Sequence, residues 1–278
     1  MKIIFSRKGF DSSIGKIPSP IFEDGSICSF PIPTEQVGPT YNEIKFDGIP
    51  LQLFLDDLLS GKGIDNYAHL DPDLDYKAME RKDGWRPSLG QSGVAEGHLV
   101  NESISEGDIF IFFGLFKEVI QNNGSYTYKL KARDKHIFFG WMQIDKIINL
   151  ARNNRKGVPD WASEHPHVNR FTTLSNDKLY ISTDKLSINE NIPGAGIFPS
   201  YESKGVLTDL SQDKVSIWKL PEWIYPENKH SILSYHKNMD RWSRMDNYTQ
   251  LKNVARGQEF VLNCDDYPEA LGWFLDLF

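Results

Sequence analysis

The stretch GDIFIFFGLF, residues 107–116, determines what kind of fold this chain can form. A Gly-Asp turn leads directly into a run of apolar residues, which is the pattern of a buried strand. Asn122–Gly124 then predicts a hairpin turn before the alternating segment Tyr126–Lys131. His136–Ile148 predicts another strand, one that can pass into a helix, and Leu179–Thr183 predicts a further strand. Several strands, short turns and few helical patterns predict a β-rich α+β fold, with a curled antiparallel sheet or a small barrel in the middle and helices at the periphery.

The segments on either side of this section carry weaker signals. Residues 17–50 are rich in Pro and Gly and predict short extended pieces joined by turns. Pro50–Leu59 has Leu and Phe at helical spacing and predicts a helix, and Pro268–Phe278 predicts the final one. Because no linker separates independent units, we expect one domain over residues 1–278.

Composition limits the classes of function. Aromatic residues make up 13% of the chain, which suits broad packed β-faces and also stacking on bases. A net charge of -7 argues against a surface coated with phosphate-binding cations, although a local basic groove is compatible with it. Cys28 and Cys264 lie far apart in apolar surroundings, which predicts reduced, buried thiols. The N-terminus lacks a signal-peptide pattern and the most apolar run is too short to cross a bilayer, so we expect a soluble, cytoplasmic protein.

The start of the chain concentrates polar chemistry. KIIF, residues 2–5, predicts a short buried strand, and it runs directly into the loop SRKGFDSSIGK, residues 6–16. Adjacent cations, a carboxylate, hydroxyls and glycines are the groups with which proteins hold an anion. The loop is not a Walker A motif, because Gly9 and Gly15 are too far apart and Ile17 stands where a Ser or Thr would bind magnesium.

A phosphate-binding loop of another design is the functional interpretation of these residues. Arg7 and Lys8 would hold negative charge, and Asp11 would act as a base or a ligand. Ser12 and Ser13 would contact the substrate. The alternative is a capped turn in which Asp11 or Ser12 bonds to the local backbone.

A second constellation is HLDPDLD, residues 69–75. In an extended segment alternate residues share a face, so one imidazole and three carboxylates would point the same way: His69, Asp71, Asp73 and Asp75. Such a set could bind a divalent cation, or supply an acid and a base with pKa values pushed apart by repulsion. The alternative is a solvated turn, because Asp and Pro are common turn residues.

Three further groups of residues are weaker candidates. His165 and His167 would share a face and are compatible with zinc or iron, but two ligands do not make a site, and a loop with one packed histidine is the favoured interpretation. His98 lies in a glycine-containing stretch that could carry a catalytic histidine. Gln258 offers the paired donor and acceptor that read base edges, and Glu259 follows it; a turn with an exposed Glu is the alternative.

Taken together, these segments resemble the nucleotide modification associated domain 3 family. The resemblance is carried by SRKGFDS (6–12), IPSP (17–20), PIP (31–33), HLDPDL (69–74), GDIFIFFG (107–114) and GQEFV (257–261). It implies a role beside enzymes that modify bases in nucleic acid, in phage or bacterial conflict and defence settings, and it implies no particular reaction. No GxSxG, HExxH, CxxC or Rossmann fingerprint is present, which disfavours ordinary hydrolases, zinc proteases and dinucleotide enzymes.

The middle section, residues 105–185, also resembles PUA-like barrels of the EVE and ASCH kind. The Gly-Asp turn at residue 107 and the passage Gly140–Ile144 carry this second resemblance. Such barrels bind RNA or modified bases in an aromatic pocket, for which Trp141 is the candidate.

We therefore expect an enzyme or an enzyme-associated protein that acts in the modification of nucleotides or of bases in DNA. The alternative is a non-catalytic PUA-like module that binds modified bases in nucleic acid. The expected partners are a nucleotide or nucleic acid and other base-modification enzymes, with no membrane, and a divalent metal ion is an open alternative as cofactor. The candidate catalytic residues are Arg7, Lys8, Asp11, His69, Asp71 and Asp73. The candidate substrate-binding residues are Ser12, Ser13, Trp141, Gln258 and Glu259.

Overall fold

The strands outweigh the helices in the computed structural model, which describes residues 1–60, 64, 67–227 and 229–278. In chain order the strands are Lys2–Arg7 (β1), Ser19–Ile21 (β2), Ile32–Thr34 (β3), Lys45–Phe46 (β4), Ile49–Pro50 (β5), Tyr67–His69 (β6), Ser88–Ser92 (β7), Ile109–Asn122 (β8), Ser125–Tyr128 (β9), Lys135–Asn149 (β10), Asp177–Ser182 (β11), Lys185–Leu186 (β12), Asn189–Pro193 (β13), Ala195–Ile197 (β14), Ile217–Leu220 (β15), Trp242–Arg244 (β16), Thr249–Lys252 (β17) and Glu259–Asn263 (β18). The α-helices are Leu51–Leu58 (α1), Gly93–Asn101 (α2), Pro166–Asn169 (α3) and Glu269–Leu275 (α4). The α+β class and the helices expected near residues 50–59 and 268–278 are confirmed.

One large mixed sheet organises the fold, in the strand order β18-β1-β8-β10-β11-β7. β1 runs parallel to β8, whereas the other neighbours along this path are antiparallel. β10 remains a strand to its end and does not pass into a helix, because β11 pairs with its second half beyond a register shift. The short strands β2, β9 and β14 add to the sheet at β8 and β10.

The sheet curls but does not close. The edge strands β7 and β18 approach until Gln91 Nε2 donates a hydrogen bond to Glu259 Oε1 at 2.5 Å, yet in the described part of the chain they share no backbone pairing. The small barrel considered for residues 105–185 is therefore not formed by the described residues. That section instead supplies antiparallel strands β8, β9, β10 and β11 to the open sheet.

The two faces of the sheet carry separate cores. Ile3, Phe5 and Arg7 alternate on β1 toward one face, where Trp218 of β15 and Phe274 of α4 cover the sheet. The other face, inside the curl, holds a second core that includes Ile4, Phe110, Phe112, Met142 and Val261, with Leu99 of α2 packed on it. The same alternation sends Lys8 to the inside of the curl, away from Arg7.

The segment that follows β6 lies against the edge strand β7. Asp73 and Ser88 exchange backbone hydrogen bonds of 2.9 and 3.0 Å, which fixes residues 70–73 alongside that strand. This contact brings the end of β6 to the mouth of the curled sheet. Cys28 and Cys264 are free and buried, as expected. Among the described residues no helix has the length and apolar character needed to span a membrane.

Candidate functional site

Four ionisable side chains meet at the mouth of the curl: His69, Asp71, His165 and His167, which we call the His–Asp cluster. Asp71 is at its centre, with the Nε2 atoms of His69, His165 and His167 at 3.9, 3.5 and 3.8 Å from its carboxylate oxygens. The backbone N–H of Gly90 on β7 donates to Asp71 Oδ1 at 2.7 Å. His69 ends β6, and His165 and His167 belong to the start of α3, so the cluster joins segments far apart in the sequence.

Gly90 makes room for one of these imidazoles. A Cβ at this position would lie 2.2 Å from Cγ and Cδ2 of the His167 ring. A glycine inside a strand often marks such a close approach. The ring of His167 therefore rests directly on the backbone of β7, and its orientation is fixed by that contact.

A buried ion pair sets the protonation of His167. Its Nδ1 lies 3.0 Å from Asp177 Oδ1, and Arg170 Nη2 donates to Asp177 Oδ2 at 2.8 Å. Arg170 Nη2 is also 3.0 Å from the same Nδ1 and carries two N–H groups, one of which is bonded to Oδ2. Asp177 Oδ1 can only accept, so an unprotonated Nδ1 would place two lone pairs against each other at 3.0 Å. We therefore assign the proton to Nδ1. The lone pair of Nε2 is then directed toward Asp71.

His165 has the opposite tautomer. Its Nδ1 accepts a hydrogen bond of 3.2 Å from the backbone N–H of His167. In a neutral imidazole the proton is then on Nε2, which faces Asp71 Oδ1. His165 thus turns an N–H toward the carboxylate at 3.5 Å, too long for a regular hydrogen bond, while His167 presents a free lone pair.

The electrostatics favour one anion among neutral imidazoles. Burial lowers the pKa of His69 to about 4, against the opposing effect of Asp71, and burial also lowers the pKa of His167. Burial alone would raise the pKa of Asp71, but the N–H of His165 and the positive charge of Lys8 bring that pKa below its ordinary value. These shifts favour a carboxylate at Asp71 beside uncharged rings at His69 and His167.

A cation and a second carboxylate adjoin the cluster. Lys8 Nζ lies 3.4 Å from Glu259 Oε1, and Gln91 donates to the same oxygen. Glu259 is 1% exposed, and its Oε2 has no hydrogen-bond partner among the described residues. A buried carboxylate oxygen without a partner is costly, so this atom is a candidate contact for a ligand that supplies a donor.

Two cavities reach the cluster. The larger, about 240 Å³, is lined by His165, Arg81 and the half-buried rings of Trp85 and Trp161. The smaller, about 90 Å³, is lined by Lys8, Asp71 and Cys28. Leu70 and Asp73 line both, so the segment after β6 forms the wall between them.

Six of the residues singled out from the sequence come together here: Lys8, His69, Asp71, His165, His167 and Glu259. Asp73 lies in the wall beside them, but its two oxygens accept from Arg81 at 2.7 and 2.6 Å and from Trp85 Nε1 at 3.2 Å. Because both oxygens are engaged, Asp73 holds the cavity wall in place and is not free to exchange a proton.

The rest of the opening loop lies elsewhere. Arg7 is on the outer face of the sheet, where its guanidinium donates to Val254 O and Ala255 O at 3.1 Å each. Asp11 accepts from the backbone N–H groups of Ser13 and Ile14 at 2.7 and 2.8 Å. These are the contacts of the capped turn that the sequence offered as the alternative, and Ser12 and Ser13 are exposed.

Two other candidates also make structural contacts. Trp141 is 6% exposed and packs on Phe198 and Phe278, with its Nε1 donating to Pro193 O at 2.9 Å. The side chain of Gln258 is exposed, and its backbone oxygen accepts from Arg7 N at 2.7 Å. Neither residue lines the two cavities.

Sequence reasoning missed several residues of this site: Gln91, Trp85, Trp161, Arg170 and Asp177. The pair His165 and His167 was visible as two imidazoles on one face. The second pair is formed by the imidazole of His69 and the carboxylate of Asp71, which are also two residues apart. Two pairs of potential ligands with this spacing in one chain could have predicted that the two segments meet at one site.

Fold and site together define a mixed α+β protein with a buried histidine–carboxylate centre at the open mouth of a curled sheet. The sequence model of the family described as nucleotide modification associated domain 3 matches residues 2–263, which include the whole His–Asp cluster. The chain belongs to this family, as the resemblance implied, and so has a role associated with nucleotide modification. No curated protein and no solved structure matches the chain.

Proposed function

We propose that the protein is an enzyme that modifies a nucleotide or a base in nucleic acid, with the reacting atom held at the His–Asp cluster. The observation that carries this proposal is the convergence of Lys8, Asp71, His167 and Glu259, from four separate segments, beside an aromatic-lined cavity. Burying ionisable groups costs stability, and such groups concentrate at functional sites. An apolar filling would serve a purely structural role better.

The aromatic cavity supports a planar substrate. Aromatic side chains provide stacking surfaces for bases, worth about 1–3 kcal/mol per base. Trp85 is held rigidly for this task, because the Arg81 guanidinium lies over its ring at 4.3 Å and its Nε1 is bonded to Asp73. A base bound between Trp85 and Trp161 would have an edge directed toward His165, which lines the same cavity.

The charges beside the smaller cavity support proton transfer to or from a substrate atom that reaches the cluster. Asp71, kept ionised next to the N–H of His165, is placed as a general base. Lys8 supplies a positive charge that would stabilise negative charge developing on the substrate. Glu259, paired with Lys8 and Gln91, orients that ammonium group and offers a free oxygen to a base N–H.

Nucleoside mass spectrometry tests the proposal in cells, where co-substrates are present. DNA and free nucleotides from a bacterial host expressing the full chain would be compared between the wild type, Asp71→Asn and Asp24→Asn. Asp24 is a matched control because it caps an exposed turn through Ser26 N at 2.9 Å and Ser26 Oγ at 2.7 Å, away from the cluster.

We expect a modified nucleoside in wild-type and Asp24→Asn cells, and a loss of about 100-fold or more in Asp71→Asn cells, as for removal of a general base. Equal product in Asp71→Asn and wild-type cells would overturn the proposal. Binding of modified oligonucleotides by the purified chain, with no new nucleoside in any strain, would also overturn it in favour of a reader of modified bases.

A further inference from the structure

We infer that His69, Asp71 and His167 bind one divalent transition-metal ion. The inference deepens the proposed function, on which it rests for the role of the ion at the reacting centre. With the ion bound, Asp71 acts as its ligand and no longer as the general base, and Glu259 Oε2, which has no partner among the described residues, is the carboxylate oxygen left to accept a proton. One ring nitrogen of each histidine and one carboxylate oxygen of Asp71 all lie within 4.8 Å of one another. Metal bonds of about 2.0–2.2 Å in tetrahedral geometry separate ligand atoms by about 3.4 Å. The distances of 3.9 and 3.8 Å from Asp71 Oδ2 to His69 and His167 need only a small contraction to reach that value.

The hydrogen bonds leave the right atoms free. Asp71 Oδ1 is occupied by Gly90 N–H and faces His165, so Oδ2 is the oxygen turned toward His69 and His167. With its proton on Nδ1, His167 offers a lone pair at Nε2. His165 has its proton on Nε2, which faces Asp71 Oδ1, and we therefore place it outside the ligand set.

The hydrogen bonds that hold the candidate ligands are of the kind found around metal sites. Metal-binding histidines usually donate their other N–H to a carboxylate or a carbonyl, and the ligating carboxylate is itself hydrogen-bonded. His167 donates to Asp177, which is fully buried and held by Arg170. The ligating carboxylate of Asp71 is likewise held, by a hydrogen bond from the Gly90 N–H. A hydrogen-bonded network without a metal has no need for a second buried carboxylate behind His167.

The charge balance also favours a cation. Asp177 is neutralised by Arg170 and Asp73 by Arg81. Asp71 is the carboxylate of the centre that no Lys or Arg among the described residues contacts within 4.0 Å, since Lys8 pairs with Glu259 and the partners of Asp71 are imidazoles. A buried carboxylate without such a partner favours a bound cation.

The ligand types point to the class of metal. Two imidazoles and one carboxylate with open positions suit Fe²⁺, Mn²⁺, Co²⁺ or Zn²⁺, whereas Mg²⁺ and Ca²⁺ prefer oxygen ligands throughout. The open positions would face the cavities at the cluster, where a substrate atom or a water molecule could bind the ion.

Cobalt titration of the untagged, EDTA-dialysed full chain tests this inference. Co²⁺ binding is followed by its visible absorption and by calorimetry, with metal content measured by mass spectrometry, for the wild type, His167→Gln, His69→Gln and Asp177→Asn. His165→Gln is the matched control, since it removes an equally buried imidazole from the same helix at a similar distance from Asp71. Circular dichroism of each apo-variant checks that it is folded.

We expect one Co²⁺ per wild-type chain and loss of binding in His167→Gln and His69→Gln. His165→Gln should keep one Co²⁺ per chain, with an affinity at most about 100-fold weaker, because His165 only faces the ligating carboxylate. Asp177→Asn should weaken the affinity by about 10–100-fold, the usual effect of removing a second-shell partner. Equal losses in His165→Gln and His167→Gln, or no stoichiometric Co²⁺ in the wild type, would overturn the inference. The nucleoside measurement separates the two claims: product without bound metal refutes only the metal site, and bound metal without product refutes only the enzymatic proposal.

Discussion

Replacing Gly90 by alanine perturbs the centre without replacing any of its ionisable side chains. The new Cβ would lie 2.2 Å from two atoms of the His167 ring and 2.8 Å from its Cβ. Ordinary carbon contacts are about 3.5–4.0 Å, so the ring must move by roughly 1.3 Å or more. The strand cannot yield easily instead, because Gly90 is paired in register with Leu179 of β11.

The expected magnitudes follow from this displacement. Overpacking of a well-packed site costs about 1–3 kcal/mol of unfolding free energy. In a chain of this size that corresponds to a fall in Tm of roughly 2–12 °C, measured by circular dichroism. Because a misplacement of about 1 Å can cost about 100-fold in a catalytic step, nucleoside product should fall much further than stability does.

A second alanine substitution provides the control. At Gly272 of α4 a Cβ would have open space: apart from the chain neighbours and the helix backbone, no described residue lies within 4 Å of it. Gly272→Ala should raise the unfolding free energy by about 0.8–1.0 kcal/mol through helix propensity, with product unchanged. If Gly90→Ala kept wild-type product and wild-type Co²⁺ affinity, the reasoning that His167 must sit against β7 would be refuted.

Three further outcomes are expected. Asp177→Asn should lower product together with Co²⁺ affinity, because the amide no longer holds the Nδ1 proton of His167 in place; unchanged metal content and product would contradict this. Trp85→Ala should weaken binding of a fluorescent nucleotide by about 1–3 kcal/mol with little change in metal content, and equal binding would remove the stacking role. Burial, aided by the nearby Arg7, lowers the pKa of His136 to about 3, whereas its pKa in the unfolded chain is about 6.5. The contribution of the neutral ring to stability is therefore complete above pH 6.5 and is lost as the pH falls toward 3. Urea melts at pH 7 and pH 5 should therefore show a shallower acid loss for His136→Gln than for the wild type, and parallel losses would contradict that assignment.

The strands were predictable because the apolar runs that become buried are contiguous in the sequence. β8 and β10 are long apolar runs, and the Pro-rich residues 17–50 do form short extended pieces. Closure of the sheet was not predictable, because it depends on which distant strands pair. The parallel pairing of β1 with β8 adds β18 beyond β1, so the sheet ends in two edges that, among the described residues, meet through side chains without backbone pairing.

The site was predictable only in part for the same reason. The alternation of β1 separates Arg7 from Lys8, and only the register with its neighbours shows which of the two faces the inside of the curl. Asp11 has every donor it needs within its own turn, and local sequence cannot distinguish such a turn from an anion site. His167 and Asp177 join His69 through tertiary contacts that no short motif records.

The central claim is that the His–Asp cluster is built around an ion at which the chemistry takes place. Its most direct test is anomalous diffraction at the cobalt edge from crystals of the full chain grown with Co²⁺. The account predicts one strong peak about 2.0–2.2 Å from Nε2 of His69, Nε2 of His167 and Oδ2 of Asp71. A peak bound to His165 Nε2, or no peak at the cluster, would contradict it.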